Sequence, residues 1–404
     1  MPFCPGCHRA SRGRRAATIV ASVSRIVVVA TAGAGGDLQP LVAAALALRT
    51  RGHDVQLLGD RSVERAVAGL GIGVQALPPE LDLGPALIDA IREAMSATGG
   101  DDRAAGAIVQ QRMTTWAEAV ARPVAQALEF DPPDALVTSL FGVEVLDLAS
   151  PSCPWAVVNS TFYVGPNPPR PLGEDFGPRA VPLIARYASL LGSADLVLHA
   201  TDLVFDLSFD RLPEGHHYVG PLGTWEPPSQ VPAYLNEPGD PWVLVSISSQ
   251  MQDDVPLAQA ALAALEGKPF RAVVTMGPGH DPSEVTAGRN IYVEQLVSHT
   301  AVLEHGVLLL SHAGHGSVMK ALWLGRPMVL VPWGRDQPGV AARAAALGVA
   351  AVVPRDRASA ETLSAAVDRT LADDLMRATS AQHGERLRAT DPPARAAELL
   401  ERLL

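Results

Sequence analysis

An apolar run, Arg25-Ile-Val-Val-Val-Ala30, breaks into the turn Thr31-Ala-Gly-Ala-Gly-Gly-Asp37 and then into an alanine- and leucine-rich stretch ending at Arg51. That order constrains the fold more than any other feature. β-Branched residues with no polar alternation read as a strand covered on both faces, which means a parallel sheet. Gly52 closes the helix as a C-cap, and Asp54-Val-Gln-Leu-Leu58 supplies the next strand. Strand, glycine turn, helix and strand make one βαβ unit, the seed of a doubly wound sheet.

The alternation continues through Ala135–Thr138, Trp155–Val158 and Leu196–Leu198, with a proline-rich loop between Tyr163 and Pro182. From Gly220 to Pro241 six prolines punctuate the chain, a linker composition. Trp242–Ile247 then restarts a buried strand, followed by the helix Pro256–Leu265 and the strand Arg271–Thr275. A chain of 404 residues exceeds what one core serves, so two α/β domains are expected. The expected division is a disordered leader at 1–24, a first domain at 25–220 and a linker at 221–241. A second domain at 242–390 follows, then a terminal helix at 391–404 that crosses back onto the first. The leader carries Cys4-Pro-Gly-Cys7-His8 without a distant partner pair and is set outside the fold.

A net charge of −11 argues against nucleic acid or an anionic membrane as partner. Three cysteines make no disulfide framework, and no apolar run spans a bilayer, so a cytoplasmic protein is expected.

The chemistry concentrates in the second half. Val307-Leu-Leu-Leu-Ser311 is a strand that ends in His312-Ala-Gly-His-Gly-Ser317 and opens a helix. Glycines there let backbone amides approach an anion, and the helix N-terminus adds partial positive charge. His312 and Ser317 offer further hydrogen bonds, so the loop suits a pyrophosphate. Asp336 and Gln337 follow the next strand, where open α/β sheets bind ligands, and an acid beside an amide suits vicinal hydroxyls. Elsewhere, His216-His217 read as surface residues before a strand, Cys153 as buried filler, and Glu174-Asp175 as part of a mobile loop.

From Ile291 to Pro354 the chain resembles the donor-binding signature of family 1 glycosyltransferases. The pieces are the segment ending at His299, His312-Ala-Gly-His-Gly-Ser317, Gly325-Arg-Pro327 and Asp336-Gln337. Gly35-Gly-Asp-Leu-Gln-Pro40, Tyr218-Val-Gly-Pro221 and Ser246-Ile-Ser-Ser249 are similar too, and the likeness is strongest to bacterial enzymes that decorate natural products. The resemblance implies a GT-B fold, two Rossmann-like domains facing across a cleft. It implies that His312, Gly314, Gly316 and Ser317 hold the pyrophosphate and that Asp336 and Gln337 hold the sugar. Ser249 would lie near the phosphates, and Leu296, Val297 and His299 near the nucleobase. The implied partners are a nucleotide-sugar donor, as TDP- or UDP-sugar, and a hydrophobic small-molecule acceptor, with no cofactor, no metal and a homodimer as an expected assembly.

Three residues depart from the family pattern: Leu296 replaces a base-stacking tryptophan, Ser298 a proline, and Lys320 a ribose-binding glutamate. Lys320 is read either as a changed ribose contact or as an exposed helix residue. Inverting transfer needs a general base, and the resemblance places Asp37 there, beside Gly36 on the acceptor side. The carboxylate that assists the base in relatives is replaced by Ser139. Asp37 also reads as an N-cap of the helix that follows. A non-catalytic donor-binding relative and a GT-B nucleotide-sugar epimerase stay open as alternatives.

Overall fold

A computed structural model describes residues 23–31, 36–224, 226, 231–249 and 252–404. The expected leader up to residue 22, most of the first glycine turn and part of the proline-rich linker lie outside the described residues.

The first sheet contains β1 (Arg25–Ala30), β2 (Asp54–Gly59), β3 (Gly73–Ala76), β4 (Ala135–Ser139), β5 (Trp155–Asn159), β6 (Leu196–His199) and β7 (His216–Tyr218). All its pairings are parallel, in the order β3-β2-β1-β4-β5-β6-β7. The second contains β8 (Trp242–Ser246), β9 (Arg271–Thr275), β10 (Ile291–Glu294), β11 (Gly306–Ser311), β12 (Met328–Leu330) and β13 (Ala350–Val352). It is also parallel, in the order β10-β9-β8-β11-β12-β13. Both strand orders reverse once, between β1 and β4 and between β8 and β11, and crevices open at the carboxyl ends of such strands. β4, β5 and β8 are buried at every residue, as the uniformly apolar runs require.

The chain ends by returning to the first sheet. Ala396, Ala397, Leu399 and Leu400 of the helix Pro392–Leu400 share a buried cluster with Leu41, Leu48 and Val28. Glu401 fixes the return: Arg51 grips it through Nε and Nη2, both at 2.7 Å, and His53 Nε2 lies 3.1 Å away.

Three expectations are corrected. His216 and His217 belong to β7, and His216 is buried with its Nδ1 3.1 Å from Nε2 of His199. Asp175 ends a short helix and is fully buried, because Arg170 and Arg343 clamp its Oδ1 at 2.7 and 3.0 Å. Cys153 is half-buried.

Candidate active site

A cavity of about 1390 Å³ runs between the carboxyl edges of the two sheets. All twelve residues singled out from the sequence line it: Gly36, Asp37, Ser249, Leu296, Val297, His299, His312, Gly314, Gly316, Ser317, Asp336 and Gln337.

The second domain's wall is built by loops after β8, β9, β10, β11 and β12. His312 Nδ1 lies 3.0 Å from the carbonyl of Ser246, so Nδ1 carries the proton and Nε2 is left toward the cavity. Burial pushes the His312 imidazole down, so it is neutral without a ligand. Ala313 holds φ +67°, a strained setting for a side-chain-bearing residue, which aims the following turn. Gly314 then precedes the helix His315–Trp323, and no side chain caps that helix. Its first amides therefore remain for an anion. Gly277 follows β9 with φ +74°, and a Cβ there would lie 2.8 Å from the Ser248 carbonyl. Only glycine lets these two loops meet.

Farther along this wall, His299 is held between two hydroxyls, Thr275 Oγ1 at 2.9 Å and Ser317 Oγ at 3.2 Å. Burial pushes its imidazole down to about 4. Leu296 stands 68% exposed at the lip, free to cover a ligand. Lys320 is not the exposed helix residue of one reading: it is buried, donating to Gln39 Oε1 at 2.8 Å and lying 3.4 Å from Glu226 Oε1. Glu226 in turn accepts from Ser298 Oγ and from the amides of His299 and Thr300. Burial pushes the Glu226 carboxyl up, but Lys320, His299 and these hydrogen bonds outweigh it and hold it down to about 2.

Asp336 ends the turn after β12, and its Oδ2 accepts from Thr161 Oγ1 of the other domain at 2.7 Å. Gln337 is buried differently. Its Oε1 accepts the amides of Trp333 and Gly334 at 2.8 and 2.9 Å, and its Nε2 donates to Gln252 at 2.9 Å. Its acceptor oxygen is therefore committed to the turn, and what remains for a ligand is a single N–H.

Across the cavity stands Asp37. It occupies the N-cap position of the helix Leu38–Thr50, yet its side chain caps nothing, so the capping reading fails. Instead Ser160 Oγ donates to its Oδ1. Burial pushes the Asp37 carboxyl up, Ser160 and Arg335 pull it back and Asp336 adds to the rise, leaving it at about 6. Ser139 is buried in β4 and away from the cavity lining. Beyond Asp37 the cavity becomes apolar, lined by Leu87, Ile91, Met95, Phe141 and Phe176. Among the described residues no three His, Cys, Asp or Glu side chains converge as a metal site.

Residues 27–118 match the glycosyltransferase family 28 N-terminal domain, and residues 246–392 match the C-terminal domain of the same family. Together the matches cover more than half of the chain. This chain is a glycosyltransferase. It belongs to that family, and its likeness to the natural-product group of family 1 stands with the curated relatives. Over 92% of this glycosyltransferase and 85% of the relative, it is 26% identical to demethyllactenocin mycarosyltransferase of Streptomyces fradiae. It is also 26% identical to vancomycin aglycone glucosyltransferase of Amycolatopsis orientalis, over 93% and 96% of the two chains. Its fold matches the calicheamicin glycosyltransferase CalG4 with a TM-score of 0.70 at 21% identity, covering 95% and 98%. The spinosyn rhamnosyltransferase solved with thymidine diphosphate matches at 0.65 and 19% identity, covering 93% and 100%. The glycosyltransferase is thus a GT-B enzyme, and no helix among its described residues is long and apolar enough to cross a membrane.

Sequence reasoning missed Ser160, Thr161, Arg335 and Glu226, all of which line the cavity. The strand rule could have found the first two, since they directly follow β5. Reading that strand only to Val158 hid them.

Proposed function

We propose that this enzyme moves a hexosyl group from a TDP- or UDP-sugar to a hydroxyl of a hydrophobic small molecule, with inversion at the anomeric carbon. The observation that carries this reading is Asp37. It is a buried carboxylate released from capping, raised to about 6, and set across the cleft from an uncapped, anion-ready helix end. A base near the working pH removes the acceptor's proton as the oxygen attacks. The leaving diphosphate meets His312, Ser317 and the helix His315–Trp323, whose dipole stabilises the charge that develops. Asp336 holds the sugar between these two ends. The apolar wall of Leu87, Ile91, Met95 and Phe141 excludes water and suits a greasy acceptor. Natural-product relatives and a neighbour bound to thymidine diphosphate support the substrate class.

Incubation with TDP- and UDP-glucose and a panel of macrolide and phenolic acceptors tests the proposal. The expected product carries the anomeric configuration opposite to the donor's, read by the proton coupling constant at the anomeric carbon. A product of retained configuration overturns the mechanism.

A further inference from the structure

Five consecutive residues at the end of β5 are each pinned by a different partner. Asn159 is fully buried, and its Nδ2 donates to the Phe162 carbonyl at 2.8 Å while its Oδ1 accepts from the Thr161 amide at 3.3 Å. The turn is therefore stapled by its own first side chain. Behind it lies a buried relay: Asn159 Nδ2 also reaches His199 Nδ1 at 3.0 Å, and His199 Nε2 reaches His216 Nδ1 at 3.1 Å. Burial pushes both imidazoles down, His216 to about 4, so both are neutral. With neutral rings, donation runs one way, from Asn159 to His199 to His216.

The front of the turn faces the site. Ser160 Oγ donates to Asp37 in its own domain, and Thr161 Oγ1 donates to Asp336 in the other at 2.7 Å. Phe162 lies under the Arg343 guanidinium, 3.7 Å from ring centroid to carbon. Arg343 bonds Asp206 through Nε at 2.7 Å, and the Tyr163 amide donates to the same carboxylate at 2.7 Å.

The helix Gln337–Ala346 starts directly after Asp336, and positions 339 and 343 share one helical face. That face rests on this turn. A Cβ at Gly339 would fall 2.6 Å from the Phe162 ring, which explains glycine inside a helix.

From this geometry we infer that Ser160 and Thr161 are a pair of positioning residues that set the separation between the acceptor's base and the donor's sugar. The inference rests on the proposed roles of Asp37 and Asp336. Adjacent residues on one stapled turn hold one carboxylate each, so the spacing of the two hydroxyls fixes the spacing of the two carboxylates. Proximity of this kind contributes heavily to bimolecular transfer, and small misplacements are costly. The Ser160 hydroxyl also stabilises the ionised form of Asp37, so it tunes the base that it places.

Single-turnover rates and donor KM, measured against pH for Ser160→Ala, Thr161→Val and Asp37→Asn, test the inference. Loss of the Ser160 hydroxyl removes a stabiliser of the carboxylate. The acid limb of the rate should then move to higher pH by about one unit, with donor KM near the parental value. Ser160→Thr, which keeps the hydroxyl, restores the parental limb. Thr161→Val should instead raise donor KM about tenfold and leave the limb in place. Should Ser160→Ala fold poorly, Ser160→Cys keeps the volume with a weak donor and is read the same way. An unmoved acid limb in Ser160→Ala beside an inactive Asp37→Asn overturns the inference and leaves the base assignment standing. Near-parental turnover in Asp37→Asn overturns both.

Discussion

The turns after β1 and β11 flank the switch points of the two sheets from opposite sides, and the proposed mechanism gives them opposite chemistry. Each leaves a sheet at its switch point and opens a helix, Leu38–Thr50 in one case and His315–Trp323 in the other. Neither helix is capped by a side chain. In the first, the residue before the helix is a buried carboxylate turned toward Ser160. In the second, it is Gly314, preceded by the neutral His312 and followed by Ser317. A carboxylate suits the first turn to accept a proton, whereas free amides at a bare helix end, with a hydroxyl and an imidazole that can take up a proton beside them, suit the second to an anion. Both turns open a helix without a side-chain cap, and on the proposed mechanism one or two side chains decide which half of the transfer each serves.

The comparison breaks most sharply at Asp37. Asp37→Asn should lower turnover about 10²–10⁴-fold while donor affinity persists, checked with an aliphatic alcohol acceptor and by calorimetric titration of the donor. Because the parental side chain caps nothing, loss of a helix cap does not contribute to the loss of activity.

Both turns face one cavity only while the domains stay registered, and Arg343 is central to that. It is fully buried between Asp206 and Asp175 of the other domain. Arg343→Met leaves Asp206 buried without its cation and Asp175 with Arg170 alone, so urea unfolding should show a loss of about 3–5 kcal/mol. An unchanged midpoint would mean that other contacts hold the domains.

At the second turn, His312→Ala should weaken nucleoside diphosphate binding by about 1.5–3 kcal/mol, the range for a hydrogen bond to a charged group. Equal affinity in parent and variant would remove His312 from the anion site.

The finest test is pH, because the two turns should respond with opposite sign. Asp37 is raised to about 6 and must be ionised to act, so the rate should fall as pH drops through about 6. His312 has its Nδ1 proton on Ser246, so its Nε2 can donate to a diphosphate only after protonation. Asp254 and Asp336 favour that protonation, and Arg335 and burial oppose it. A bound anion favours it further, so binding takes up a proton and diphosphate affinity should rise as pH falls. Calorimetry in buffers of different ionisation heat counts that proton; no uptake would leave the two turns alike in this respect.

The sequence by itself determined the parallel strands and the strand-to-helix turn after β11, because each is written in consecutive residues. Apolar runs declare their burial on both faces, and His312 to Ser317 declare a strand-to-helix turn without help from elsewhere. Asp37 was legible as a residue, but not its state. Whether it capped a helix or served a cleft depended on Ser160, which stands 123 positions away. Lys320 was undecided for the same reason, since Gln39 lies 281 positions away and Glu226 sits in a proline-rich linker without periodicity. Asp175 read as part of a mobile loop and His216 as a surface residue, because polar side chains are usually exposed. Only the packing of one domain on the other buried Asp175 against Arg343, and only the β6–β7 pairing set His216 against His199. Local patterns record which backbone forms, whereas the ionisation and partners of a buried polar group are set by side chains that folding brings from far along the chain.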